Sequence, residues 1–148
     1  MWGSMESKEI LRDRLNRIVK ELIVTCRALP DPDAAIYAGW SAKDVLGHLT
    51  FWHESFARNV NDLVHDRTPT PLKGRLRDLN QQGVDEMRSC SLEEVITRLR
   101  AAQRIIQRNV SNPKLILIPY RKGVRDYTPE EHLDLGAKHI QHHLKSLR

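Results

Sequence analysis

Cysteine is scarce in this chain, and the two that occur, Cys26 and Cys90, stand far apart in no metal-binding spacing. That scarcity excludes a disulfide-stapled scaffold and a cysteine zinc site, so both residues read as small core or surface groups rather than nucleophiles. Long apolar runs are missing too, and no N-terminal stretch has the pattern of a signal peptide. A reducing cytoplasm and no membrane partner are therefore the expectation. The chain shows no internal repeat, no low-complexity segment and almost no period-two alternation. Only the short apolar run Leu115 to Ile118 has strand character.

What is present is a basic, evenly hydrophobic chain. Its 148 residues are 40% hydrophobic, enough for one domain over 1–148 with a proper core and no need of structural cross-links. The opening Met1-Trp2-Gly3-Ser4-Met5 reads as an appendage before a native start at Met5, so residues 1–6 are expected to be appended or disordered. Lys and Arg number 24 against 19 Asp and Glu, and the sequence pI is near 9.5. The excess gathers between Arg98 and Arg125, which holds eight basic residues and no acid. Arg100, Arg104 and Arg108 follow one another at i, i+4 and read as a solvated positive face. No aromatic interleaving, recognition helix or zinc-finger pattern accompanies them, so a nucleic-acid partner is not expected. Attraction for anionic substrates is compatible with the charge.

Apolar spacing predicts helices throughout. The first runs from about Ser7 to Ala28 with Ile10, Leu11, Leu15, Ile18, Val19, Leu22, Ile23 and Cys26 on one face, and stops near Pro30 and Pro32. Ser41 with Asp44 three residues on is a capping box that opens the second, whose stripe is Val45, Leu49, Trp52, Phe56, Val60 and Leu63. A loop and a short helix around Arg75 to Met87 follow. Ser91 with Glu94 opens the next helix, which ends around Asn112-Pro113. Thr128, Pro129 and Glu131 open the last. Four long amphipathic helices with extended connections after the second and third predict an all-α four-helix bundle with crossovers.

Histidine placement carries the chemistry. With Leu133 as the origin of the last helix, Ala137, Ile140, Leu144 and Leu147 fall within about 40° of it, while His132, His139 and His143 cluster about 80–120° to one side. His142 points away from the core and reads as solvated. His139 and His143 are an i, i+4 pair whose rings converge, the spacing used by helical metal sites for two imidazoles. His132 lies about 10 Å along the axis from His139, too far to share an ion. On the second helix, His53 lies about 40° from the centre of the apolar stripe and His48 about 100° from it. Periodicity alone favours His53 as the inward-facing ring.

Trp40-Ser41-Ala42-Lys43-Asp44-Val45-Leu46-Gly47-His48-Leu49, with His139-Ile140-Gln141-His142-His143-Leu144 on the last helix, resembles the DinB/YfiT-like family of four-helix bundles over essentially the whole domain. The resemblance implies a metal site built from the histidine of the Gly-His-Leu step and the H-x-x-x-H pair, which here are His48, His139 and His143. Ile118-Pro119-Tyr120-Arg121-Lys122-Gly123 with Arg125-Asp126-Tyr127 also resembles the ClbS/DfsB branch, which implies a metal-independent protein that binds a reactive small molecule or protects against one. The family likeness further implies pairing of two copies through helices. The Leu115 to Ile118 run either covers such a partner or folds over the bundle end.

Three neutral imidazoles hold a divalent ion, Zn or Ni by preference, and leave a position open for water or substrate. Such an ion lowers the pKa of bound water toward about 7 or holds a thiolate for transfer, so the expected activity is that of a hydrolase or thiol transferase acting on a small electrophile. The family's association with thiol transfer and detoxification makes a thiol cofactor the expected partner beside the substrate. Trp52, Tyr120 and Arg121, with Lys122, are the expected substrate contacts. Glu54, Asp62, Glu130, Glu131 and Asp134 are available carboxylates, and none stands out as a general base.

Overall fold

A computed structural model describes residues 6–37 and 39–148. Residues 1–5 of the expected appendage lie outside them, whereas Glu6 is described and accepts a hydrogen bond from Arg14 at 2.7 Å. The helices are α1 (Lys8–Ala28), α2 (Ala42–Val64), α3 (Leu76–Met87), α4 (Leu92–Asn109) and α5 (Pro129–Leu147). Four of them are long, with α3 set into the connection between α2 and α4, so the expected bundle with crossovers is the fold observed. No helix among the described residues is long and apolar enough to cross a membrane.

Local chemistry explains the helix starts. Ser7 caps α1 by accepting from the Ile10 backbone N–H. Ser41 with Asp44, Ser91 with Glu94 and Thr128 with Glu131 each form a complete capping box, the side chains accepting reciprocally from the backbone at α2, α4 and α5. Pro129 occupies the first turn of α5, where its missing N–H leaves no donor unsatisfied.

The bundle is built as α1 on α5 and α2 on α4, with α3 laid against α2 and a further contact between α2 and α5. Leu15, Leu22, Val45, Leu46, Leu99, Ile106 and Leu133 are fully enclosed between them. Helix α2 has neighbours on several sides, so Leu46, Phe51, His53 and Asn59 are buried along with the stripe. On α1 the stripe holds from Leu11 to Cys26, but Ile10 is exposed: it lies about 100° around the helix from the buried Leu11, on the face that carries Arg17 and Glu21.

Two departures from the sequence reading bear on the site. Ala35–Tyr37 (β1) and Trp40–Ser41 (β2) form a small antiparallel ribbon that leads into α2, turning at Gly39, whose φ of 81° suits a residue without a Cβ. Leu115 to Ile118 is not a strand. Leu115 and Ile118 are buried over the bundle while Ile116 and Leu117 face out, and only Ile118 pairs, exchanging both backbone hydrogen bonds with Tyr127 at 2.8 and 3.0 Å.

Candidate metal centre

Helices α2 and α5 bring His48, His139 and His143 together. One ligand-capable atom from each lies within 4.8 Å of the others. Ring centres are 4.8 Å apart for His48 and His139, 5.0 Å for His48 and His143, and 5.1 Å for His139 and His143. The Nε2 atoms of His48 and His139 face each other at 3.0 Å. A tetrahedral ion with bonds of about 2.0–2.1 Å to nitrogen sets its ligands about 3.3–3.4 Å apart, a spacing that falls between the 3.0 Å of the His48–His139 pair and the 4.8 Å that bounds the cluster. The donors fit such an ion. His48 is buried, and its Nδ1 has no hydrogen-bond partner among the described residues.

Burial keeps these rings neutral. It pushes His48 down to about 3, with the neighbouring His139 and His143 adding to the effect, and pushes His139 down to about 4. His143 is lowered for the same reason. At neutral pH the cluster therefore offers nitrogen lone pairs rather than positive charge. Trp40 of β2 covers His48 at 5.1 Å between ring centres. Tyr37 of β1 reaches His143, its hydroxyl 3.3 Å from Nδ1 while donating to Ser146 Oγ at 2.7 Å. The reading of the sequence missed Tyr37. Its signal is the pair of strand formers Ile36-Tyr37 followed by Gly39, too short to stand out as a hairpin.

The other histidines have separate work. His53 is buried but turns to α4, its Nε2 2.6 Å from Gln103 Oε1, which is the physical reason it is absent from the cluster. His132 is buried, directs Nε2 at the Ile118 carbonyl at 2.8 Å and stacks on Phe56. His142 is exposed. Four of the candidate carboxylates are engaged in pairing. Glu54 bonds Arg98 at 2.7 Å, Asp62 bonds Arg67 at 3.1 Å and Asp134 bonds Lys138 at 2.8 Å. Glu131 is held down to about 2, by Arg125 first and then by the backbone at Thr128. Burial raises the Cys26 thiol to about 11, which leaves it inert as a nucleophile.

A cavity of about 540 Å³ opens beside the cluster, with His139 in its wall. Trp52 and Tyr120 also line it, stacked with ring centres 5.3 Å apart, and Trp52 Nε1 donates to Asn80 Oδ1 at 2.8 Å. Phe56, Leu49 and Ile140 make the wall largely apolar, and among the described residues no carboxylate lines it. Arg121 stands apart from the lining. Its Nη1 donates to the Gly74 carbonyl at 2.9 Å and joins two connections, with Lys122 N donating to Leu72 O beside it. Arg100, Arg104 and Arg108 are exposed on α4.

Residues 15–112 match the family described as the mycothiol maleylpyruvate isomerase N-terminal domain, a span that includes His48 and ends before α5. Among solved structures, the chain is similar to a mycothiol-dependent maleylpyruvate isomerase, with TM-score 0.75 and 9% identity over 96% of this chain and 61% of that one. A variant of that enzyme with one histidine changed to alanine gives TM-score 0.73 and 8% identity over the same shares. A protein from Streptococcus pneumoniae gives TM-score 0.65 and 15% identity over 98% of this chain and 94% of that one. At these identities the likeness establishes the fold, and the chain spans only 61% of the isomerase's length. No curated protein sequence matches the chain.

Proposed function

The chain belongs to the mycothiol maleylpyruvate isomerase N-terminal domain family, a part of the DinB/YfiT-like superfamily, and from that premise we propose that it is a metal-dependent enzyme using a small-molecule thiol on a small electrophile. The observation that carries the reading is the convergence of His48, His139 and His143 beside a mostly apolar cavity. A divalent ion such as Zn or Ni bound there supplies Lewis acidity that draws a thiol toward its thiolate form. The protein's own part is to keep His48 and His139 neutral by burial, so that their lone pairs stay available at pH 7. Trp52 and Tyr120 give the electrophile a flat apolar wall next to His139.

Thiol-dependent isomerisation is favoured over the other reaction classes because one structural relative is a mycothiol-dependent maleylpyruvate isomerase and the matching family carries the same description. Thiol transfer shares its first event, attack by a thiolate. Hydrolysis draws no support from the relatives.

The test uses the untagged protein. Elemental analysis is expected to find about one divalent ion per chain, the capacity of a single three-imidazole site. Maleylpyruvate turnover with mycothiol is then measured before and after chelation. Loss of turnover on chelation and its return with zinc or nickel would support the reading. Protein that binds neither ion, with turnover or thiol binding indifferent to chelator, would overturn it.

A further inference from the structure

One contact at the cluster is not explained by coordination alone. Tyr37, from the ribbon, places its hydroxyl against both Ser146 and His143, two residues of α5 that lie almost one turn apart. A phenol has one proton to donate, and here it goes to Ser146 Oγ at 2.7 Å. With the proton so placed, the phenolic oxygen faces His143 Nδ1, 3.3 Å away, as an acceptor, an arrangement that calls for the hydrogen on that nitrogen. A neutral imidazole with its hydrogen on Nδ1 has its lone pair on Nε2.

We propose that Tyr37 is a positioning residue which, backed by Ser146, fixes the tautomer and ring orientation of His143 so that Nε2 is free to bind a cation. This inference rests on the metal reading given above. His48 supplies the contrast, since its Nδ1 is buried with no partner among the described residues. Outer hydrogen bonds of this kind orient metal-binding imidazoles, and removing them weakens affinity by about 10- to 100-fold. The ribbon thus has a role beyond leading the chain into α2: it delivers the acceptor that α5 lacks.

Two variants separate this role from simple packing. Tyr37→Phe keeps the ring, including its edge contact with His143 at 6.1 Å between centres, and removes only the acceptor. Ser146→Ala keeps the phenol but frees its proton to turn toward His143, which favours the opposite tautomer. Two-bond ¹H–¹⁵N correlation spectra of the metal-free protein at pH 7.5 read the tautomer, and competition titration with zinc reads affinity. The expected result is His143 with hydrogen on Nδ1 in the wild type, a mixed population in Tyr37→Phe and a shift to Nε2–H in Ser146→Ala. Zinc affinity should fall by about 10-fold or more in both variants. A wild-type His143 with hydrogen on Nε2, or Tyr37→Phe binding zinc as tightly as wild type, overturns the proposal. If the wild type shows the Nδ1–H form but binds no zinc, the positioning stands and the metal reading fails.

Discussion

A proton and a metal ion compete for the same nitrogen lone pair, and burial acts against the proton. His48 and His139, held near 3 and 4, are poor proton acceptors. Zinc retention is therefore expected to persist down to about pH 5, where exposed imidazoles near 6.5 would already be charged. Metal content after dialysis at stepped pH checks this, and release that tracks a midpoint near 6.5 would contradict it. Changing His139 to Ala is expected to reduce bound metal from about one ion per chain to a small fraction while helical circular dichroism stays unchanged. At this scale the histidine pair on α5 was legible because i, i+4 spacing states which rings share a face. The choice between His48 and His53 was not. Periodicity locates a core face only where a helix also has a solvent face, and α2 has neighbours on several sides, so both rings are buried. What separates them is a partner on another helix, Gln103, which no pattern within α2 announces.

Helix-to-helix approach sets the next scale. At Gly83, where α3 lies against α2, an added Cβ would come within 2.6 Å of Phe51 Cγ and 2.7 Å of its Cβ. Gly83→Ala gains helix propensity yet must displace a buried ring, and a net loss of about 1–3 kcal/mol is expected. Chemical denaturation checks it, and a stabilised variant would show that α3 can move away at little cost. At the start of α5, Thr128→Ala removes the side-chain acceptor of a capping box and is expected to lower stability by about 1 kcal/mol. The helix starts were readable because caps are local chemistry, written in three or four adjacent residues. The ribbon was not, because strands of three and two residues carry too little alternation to register. Leu115 to Ile118 misled in the opposite direction: a wholly apolar run gives no indication of which members face inward, and here the middle two face outward. Arg121 was equally silent, since its contact with Gly74 depends on how two distant connections meet.

For the molecule as a whole, buried neutral histidines make folding sensitive to acid. His53 is pushed down to about 4 and His132 is lowered as well, in both cases mainly by burial, against an ordinary value of 6.5. The unfolded chain binds protons at these sites before the folded one does. Stability is therefore fully present above about pH 6.5 and is lost as pH falls from there toward about 4. Melting temperature of the metal-free protein should fall across that window, and a flat profile would count against these burial effects. Fold class was legible at this scale because four helical stripes admit few packings. Substrate was not, because the cavity is assembled from α2, α3, α5 and the connection around Tyr120, which lie far apart in the chain.

His139 belongs at once to the cavity wall and to the imidazole cluster. Occupants of the two places are thereby in thermodynamic linkage through a single ring. Any guest whose binding turns that imidazole alters the hold on the ion, and reciprocity requires the ion to alter the hold on the guest by the same factor.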